Sequence, residues 1–158
     1  MSPTYYLTTP IYYVNDKPHI GHAYTTLACD VLARFKRLDG YDVMFLTGTD
    51  EHGQKVQEAA EKAGVAPQVF TDKVSQNFRD LTSAMNFSND QFIRTTEPRH
   101  YESCRLIWNM LIEKGHIRLD KYAGWYSVRD EAFFTETELV DGKAPTGAPV
   151  EWVEEPSY

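Results

Sequence analysis

Hydrophobic and polar positions near the amino terminus follow strand and helix periods in turn. Aromatic, β-branched and apolar residues at 5–9 predict a strand, and the apolar spacing over 23–38 predicts a helix. A continuous apolar run within 42–47 is typical of a fully buried strand. Gly40 favours a helix stop, because glycine accepts the left-handed conformation common just past a helix end. Strand, helix and strand together predict a right-handed βαβ unit with parallel strands.

The rest of the chain changes character near residue 116. Before that point the pattern predicts helices at 54–63 and 67–85, a short strand at 92–95, and a helix that opens at 97–98 and runs to 113 or 114. After it, short apolar runs between charged turns predict antiparallel strands, at 117–119, 122–128 and 132–135. The predicted fold class is therefore α/β, with a Rossmann-type parallel sheet in residues 1–115 and the start of a mostly β domain in residues 116–158.

Polar residues follow both strands of the βαβ unit. His19-Ile20-Gly21-His22 lies before the helix, where unpaired amides and two imidazoles can contact phosphate. Gly21 lets a base or a sugar lie against the backbone. A second cluster occupies residues 48–53, directly after the buried strand. Because ligands bind outside the carboxyl ends of parallel strands, both clusters are expected to converge on one crevice. The alternative for the two histidines is that they only cap the helix.

Three segments make the sequence recognisable. They are Thr-Pro-Ile-Tyr-Tyr-Val-Asn at 9–15, Pro-His-Ile-Gly-His-Ala-Tyr at 18–24 and Phe-Leu-Thr-Gly-Thr-Asp-Glu-His-Gly at 45–53. With residues 90–97 and 124–126, they resemble the bacterial methionyl-tRNA synthetases, which are class I aminoacyl-tRNA synthetases. The His-Ile-Gly-His motif is shared across that class, whereas the first and third segments point to the methionine enzymes.

The resemblance implies a methionine–tRNA ligase, which activates methionine with ATP to methionyl-adenylate, releases pyrophosphate and transfers the amino acid to tRNA(Met). It also implies that residues 1–115 are the first half of the nucleotide-binding catalytic domain and that residues 116–158 begin an inserted connective domain. A second catalytic half with a lysine-rich loop and a helical anticodon-reading domain are expected beyond this chain. The chain is thus interpreted as an amino-terminal piece, and the isolated piece is expected to be inactive.

The resemblance also implies which residues form the site. Catalytic donors to phosphate oxygens would be His19 and His22. Residues at the ATP would be His19, Gly21, His22 and Gly48. Methionine would meet Ile11 through its backbone, Tyr13 over the thioether and Asp50 at the ammonium group. Further candidates near the ligands are Tyr12, Asn15, Thr49 and His52.

Each assignment has a structural alternative. Asp50 could cap the following helix, and Asn15 could stabilise the turn that ends in a proline. Glu51 could serve the dipole of the helix that follows it. Cys29 and Cys104 lie in apolar helical patterns, which favours buried thiols over a disulfide.

Charge and composition limit the partners. A net charge of −7 argues against a protein that coats nucleic acid nonspecifically, because such binding needs a basic surface. The resemblance implies that tRNA(Met) is held mainly by the region that this chain lacks. No leader or membrane span is evident, and a cytoplasmic location is expected. Ser127 and Asp130 stand where many relatives carry zinc-binding cysteines, so no zinc is expected. Mg²⁺ is expected through the ATP phosphates.

Two other functions compete with the ligase. One is a related class I synthetase for another amino acid, or a nucleotidyltransferase with the same His-x-Gly-His device. The other is a nonenzymatic module that binds nucleotide or tRNA. Residues 48–53 and the Tyr12-Tyr13 pair count against the first. The retained polar residues count against the second, because a structural domain has no need of polar side chains converging on a crevice.

Overall fold

The computed structural model describes residues 2–158 of the chain. It divides into two compact units, one ending at Ser103 and one beginning at Cys104. The first unit contains a parallel sheet and the second an antiparallel sheet. The predicted α/β class, a parallel sheet followed by a mostly β segment, is confirmed. The boundary proposed at residue 116 concerns where an inserted domain begins, and it stays a prediction.

The sheet of the first unit is organised around one long strand. Its strands are β1 (Thr4–Thr8), β2 (Tyr12–Tyr13), β3 (Asp42–Asp50) and β4 (Gln91–Arg94). Each of the other three pairs in parallel with β3. Strand β1 runs along the first half of β3, whereas β2 and β4 meet its second half. The carboxyl end of β3 is therefore the place where three strands come together.

Four helices connect or follow these strands: α1 (Ile20–Leu38), α2 (Gln54–Lys62), α3 (Pro67–Ala84) and α4 (Pro98–Glu113). Helix α1 begins earlier than the apolar spacing predicts, because the His19-Ile20-Gly21-His22 motif itself forms its cap and first turn. Pro67 fits the first position of α3, where an amide hydrogen would have no partner within the helix.

Apolar side chains pack in two clusters. One joins β2, α2, α3 and β4 and consists of Tyr12, Val14, Val56, Val74, Phe78 and Phe92. The other joins α1 to β3 and consists of Ala33, Val43 and Phe45. Together they fix α1 and α3 against the strands that carry the candidate site.

The expectation of a fully buried strand at 42–47 is wrong for part of β3. Met44 is 46% exposed, and its register partner on β1, Tyr6, is 62% exposed. Buried and exposed positions alternate from Asp42 to Phe45, which is the pattern of a sheet covered on one face. Within the described chain, helices cover only one face at this end of the sheet.

The second unit contains β5 (Asp120–Ser127), β6 (Ala132–Phe134) and β7 (Glu151–Ser157), in the order β6-β5-β7. Aromatic rings pack across it: the Trp125 and Trp152 centroids are 5.4 Å apart, and those of Tyr126 and Phe133 are 4.8 Å apart. The prediction of a strand at 117–119 is wrong. Pairing with β7 begins at Asp120, opposite Ser157, so the three residues before it have no strand partner.

The cysteine prediction is partly wrong. Cys29 is half-buried beside the α1–β3 cluster, but Cys104 is exposed. Helix α4, which carries Cys104, has no buried residue within the described chain. The apolar residues at helical spacing in α4 are therefore not buried in a core. The two cysteines form no disulfide with each other.

Candidate functional site

The two histidines of the motif form a capping box at the start of α1. His19 is the N-cap, and its Nδ1 accepts a hydrogen bond from the Gly21 amide at 3.0 Å. His22 Nδ1 accepts from the His19 amide, also at 3.0 Å. Capping therefore accounts for the Nδ1 atom of each ring. The Nε2 atoms are not used by the cap and can contact another group.

These caps fix the tautomer of both rings. A nitrogen that accepts a hydrogen bond from a backbone amide carries no proton, so each neutral ring holds its proton on Nε2. The rings are stacked, with centroids 3.9 Å apart. The α1 terminus therefore presents two neighbouring Nε2–H donors. Such a pair, together with a helix dipole, suits an anionic ligand.

His22 is kept neutral by its surroundings. Burial lowers the pKa of its imidazole below the ordinary value, and the nearby His19 lowers it further. Two aromatic rings provide the burial: the centroids of Tyr12 and Phe78 lie 4.8 and 5.2 Å from that of His22. His22 is consequently a neutral hydrogen-bond donor at neutral pH rather than a cation.

Tyr12 connects the two polar clusters. Its hydroxyl bonds to Thr26 Oγ1 of α1 at 2.9 Å, and its ring packs against His22. On the other side, Tyr12 is the register partner of Thr49 in β3. The structure thereby brings the histidine motif and the end of β3 together through one buried side chain. Sequence reasoning listed Tyr12 as a ligand contact, whereas its described contacts are supporting ones.

Gly21 has a local reason to be glycine. A Cβ built there would lie 2.9 Å from His19 Cε1 and 3.0 Å from His19 Nδ1. Any side chain would therefore press on the capping ring. The close approach of a base or sugar remains a prediction.

Tyr13 and Asp50 lie side by side. They are register partners in β2 and β3, where neighbouring strands run about 4.8 Å apart and paired residues share a face. Tyr13 is 47% exposed and Asp50 is half-buried. The preceding register pair, Tyr12 and Thr49, is buried on the opposite face. Ile11 is exposed just before β2. A carboxylate and an aromatic ring thus share one accessible face at the end of the sheet.

The capping alternative for Asp50 is wrong. The N-cap of α2 is Gly53, which has a φ of 110° and makes no side-chain cap bond. The dipole alternative for Glu51 is wrong as well, because the first turn of α2 contains no acidic residue. Instead, the Glu51 carboxylate is completely enclosed and faces Arg94.

An ion pair that sequence reasoning missed lies behind Asp50. Arg94 Nε and Nη2 donate to the two oxygens of Glu51, each at 2.8 Å. Burial alone would raise the pKa of the Glu51 carboxyl, but hydrogen bonds from Arg94, Thr96 and Thr49 outweigh burial and hold the pKa below its ordinary value. The available signal was that polar residues 94–96 end the predicted strand, where site residues gather, but that signal does not identify Glu51 as the partner of Arg94.

Three remaining candidates occupy different positions. Gly48 is buried where β3 passes β4, and a Cβ built on it would lie 2.0 Å from the Ile93 carbonyl oxygen. His52 is exposed, and its Nε2 lies 3.3 Å from the Thr95 carbonyl oxygen. Asn15 is exposed, and the side-chain bond in its turn comes from Asp16, which accepts from the Lys17 amide at 2.6 Å. Contacts of these residues with ligands stay predictions.

The second unit has a clasp where the resemblance implies a zinc knuckle in many relatives. Asp130 Oδ2 accepts from Ser127 Oγ at 3.2 Å and from Thr146 Oγ1. The Thr146 hydroxyl is the main reason why the pKa of Asp130 is below its ordinary value. Two hydroxyls and one carboxylate are a poor set for zinc, which prefers thiolate and imidazole. Among residues 2–158, no group of three or more His, Cys, Asp or Glu side chains could hold a metal ion.

We expect the second unit to depend on this clasp and not on a metal. Replacing Thr146 by valine should lower the melting temperature of the full-length protein slightly, by roughly 2 °C, because the hydroxyl loses its bond to Asp130 and its weaker bond from the Ala148 amide. A strong chelator should leave the wild-type melting temperature unchanged. Thr137→Val is the matched control, because it removes an exposed hydroxyl that bonds to Thr135, outside the clasp. A fall in melting temperature on chelation would contradict the expectation.

The fold and the site together define a class of protein. A parallel sheet, a capped helix with two imidazoles and polar residues at the carboxyl ends of the strands are the features of a nucleotide-binding α/β domain. A family model described as tRNA synthetases class I (M) matches residues 5–151. The chain belongs to this family of class I tRNA synthetases, and the resemblance found in the sequence is confirmed.

Individual relatives agree with the family. The chain is 65% identical to a methionine–tRNA ligase of Rickettsia felis, over all of this chain and 31% of that protein. It is 60% identical to the corresponding ligase of Mesorhizobium japonicum, over 98% of this chain and again 31% of the relative. The chain thus spans about a third of the length of these relatives.

Solved structures agree as well. A Mycobacterium tuberculosis methionyl-tRNA synthetase bound by methionyl-adenylate superimposes with a TM-score of 0.89 at 52% identity, over 98% of this chain and 32% of that one. A second structure of that synthetase in complex with methionyl-adenylate gives a TM-score of 0.90 at 53% identity, over all of this chain. No helix within residues 2–158 is long and apolar enough to cross a membrane.

Proposed function

We propose that the full-length protein is a methionine–tRNA ligase and that this chain is its amino-terminal catalytic part. The carrying observation is the agreement in sequence and fold over nearly the whole chain with synthetase structures that hold methionyl-adenylate. The reaction joins the methionine carboxylate to the α-phosphate of ATP, releases pyrophosphate and then passes the methionyl group to tRNA(Met). The protein would work in the cytoplasm, and tRNA would be held mainly outside this chain.

Catalysis in this proposal comes from placement and charge stabilisation, because the substrate carboxylate is itself the nucleophile. His19 and His22 are the catalytic residues, donating from Nε2 to phosphate oxygens that gain charge in the transition state. Their shared tautomer supports this role, since both Nδ1 atoms are already occupied by backbone amides. Gly21 and Gly48 would lie at the nucleotide.

Methionine would bind at the exposed face of β2 and β3. Asp50 would accept hydrogen bonds from the ammonium group, and Tyr13 would pack against the thioether. Ile11 would contribute backbone groups. The register that pairs Tyr13 with Asp50 supports this arrangement, because it places an anion and an aromatic ring on one face. Thr49, Tyr12, Asn15 and His52 would then support or border the pocket rather than define it.

Mg²⁺ would be held by the ATP phosphates, whose negative charge it would neutralise. The described residues offer no carboxylate cage for it, which fits an ion that usually takes few protein ligands. The clasp at Asp130 supports the expectation that the second unit carries no zinc.

Amino-acid-dependent exchange of pyrophosphate into ATP tests the proposal on the full-length protein. We expect exchange with methionine and much weaker exchange with isoleucine, leucine, valine or cysteine in parallel. A preference for another amino acid would favour a related class I synthetase. The absence of exchange with any amino acid, in a folded full-length sample that binds ATP, would favour a binding module and overturn the proposal.

A further inference from the structure

The Glu51 carboxylate is fully used within the fold. Its side chain is 0% exposed. Oε1 accepts from Arg94 Nε at 2.8 Å and from Thr49 Oγ1 at 2.7 Å, and Oε2 accepts from Arg94 Nη2 at 2.8 Å and from Thr96 Oγ1. A buried carboxylate with all of these partners is ionised and held in one position. It cannot itself bind a ligand, since solvent does not reach it.

Two hydrogen bonds donated by backbone amides join the ends of β3 and β4. The Glu51 amide donates to Thr95 Oγ1 at 2.8 Å, and the Thr95 amide donates to the Thr49 carbonyl oxygen at 3.2 Å. Arg94 also reaches Asp72 of α3. These bonds connect the end of β3 with the end of β4 and with α3. On β3 they are made by Thr49 and Glu51, the residues directly before and after Asp50.

The arrangement also settles where the positive charge of Arg94 goes. Both of its ion pairs are with other carboxylates, those of Glu51 and Asp72. Alternation along β3 directs Thr49 to one face and Asp50 to the other, and the Glu51 carboxylate bonds to the Thr49 hydroxyl. The Asp50 charge is therefore not neutralised by Arg94, and its backbone is fixed from behind.

Stability alone is a weak reason for such a pair. Well-packed apolar residues of similar volume often serve a fold as well as a buried ion pair does, because two charges must be desolvated. A bidentate pair does confer one geometry, which apolar packing does not enforce as strictly. A binding carboxylate next to it is where fixed geometry matters most.

We propose that Glu51 and Arg94 are positioning residues for methionine binding, holding Asp50 and its partner Tyr13 at the distance and orientation that the amino acid requires. This inference rests on the proposed function, because it assigns the pair to the same site. Neither residue touches the substrate. Their effect is transmitted through the ends of β3 and β4.

The test compares Glu51→Gln with Glu97→Gln in the full-length protein. Glu97 is a suitable control because it also pairs with arginines, Arg79 and Arg99, but makes no bond to the end of β3. In pyrophosphate exchange, we expect Glu51→Gln to raise KM for methionine roughly tenfold to a hundredfold, because a displaced Asp50 carboxylate would pair poorly with the ammonium group; this corresponds to about 1.4 to 2.8 kcal/mol. KM for ATP should stay within about twofold, and Glu97→Gln should change neither value by more than that.

A milder variant keeps the test decisive if Glu51→Gln does not fold. Thr96→Val removes one hydroxyl from Glu51 at nearly constant volume, and Thr71→Val does the same at a buried hydroxyl that bonds only within α3. Thr96→Val should raise KM for methionine more than KM for ATP, and Thr71→Val should not.

The outcomes separate this inference from the proposed function. If the wild-type protein activates methionine but Glu51→Gln or Thr96→Val leaves KM for methionine unchanged, the positioning role is overturned and the function stands. An equal rise of both KM values would likewise overturn it, since that is the mark of a general structural defect. If the folded wild-type protein does not activate methionine, both are overturned.

Discussion

Replacing Asp50 by alanine in the full-length protein is expected to raise KM for methionine by roughly 30-fold to 1000-fold. Asp50 ends β3 on the accessible face, beside Tyr13, and is the acceptor proposed for the substrate ammonium group. Removing one partner of a desolvated charge pair costs about 2–4 kcal/mol, and each 1.4 kcal/mol is tenfold in affinity. KM for ATP should change much less, because the histidine motif is left intact.

Two further variants give this result its meaning. Asp50→Asn keeps the shape of the side chain and removes its charge. If the ammonium group is the partner, this variant should raise KM for methionine nearly as much as Asp50→Ala does. Asp42→Ala removes an exposed carboxylate from the other end of the same strand, and it should have no effect on either KM. An unchanged KM for methionine in Asp50→Ala would remove the ammonium assignment.

The elements that the sequence predicted well are those determined locally. The helices from Gln54, Pro67 and Pro98 begin close to where spacing, glycine and proline placed them, because helix periodicity and end signals involve neighbouring residues. Strand β2 was missed, since two residues carry no period. Strand β7 was missed because its sequence is rich in glutamate and contains Pro156, both disfavoured in strands.

In the candidate site, too, the local contacts could be predicted from the sequence and the long-range contacts could not. The capping box at His19 and His22 involves residues three apart, so sequence reasoning could foresee a cap and a phosphate contact as alternatives. The structure makes the two compatible, because the cap uses Nδ1 and leaves Nε2. The Glu51–Arg94 pair spans 43 residues and depends on strands β3 and β4 becoming neighbours. No local signal determines such a pairing, and so Glu51 was assigned to the nearest helix.

The register between β2 and β3 could not be predicted from the sequence either. The neighbourhood of Tyr13 and Asp50 follows from β2 pairing with the last two residues of β3. A shift of one residue would bury Tyr13 and expose Tyr12. The packing of Tyr12 against His22 and Phe78 stabilises the observed register, because a shift would remove these buried ring contacts.

Replacing Gly48 by alanine is expected to destabilise the full-length protein by about 3 kcal/mol or more, which is a large share of ordinary stability. Its Cβ would lie 2.0 Å from the Ile93 carbonyl oxygen and 2.6 Å from Ile93 Cγ2. Ile93 is the register partner of Gly48, so β4 would have to move away from β3. Urea unfolding followed by circular dichroism should show the midpoint fall.

Gly124→Ala is the matched control for this substitution. Gly124 is also buried in a strand, but a Cβ there would first meet Phe133 Cδ1 at 3.2 Å, a side-chain atom that can give way. Its unfolding midpoint should fall much less than that of Gly48→Ala. If Gly48→Ala instead unfolds like the wild type and only its affinity for ATP falls, the contact with Ile93 is not what requires glycine, and the nucleotide is.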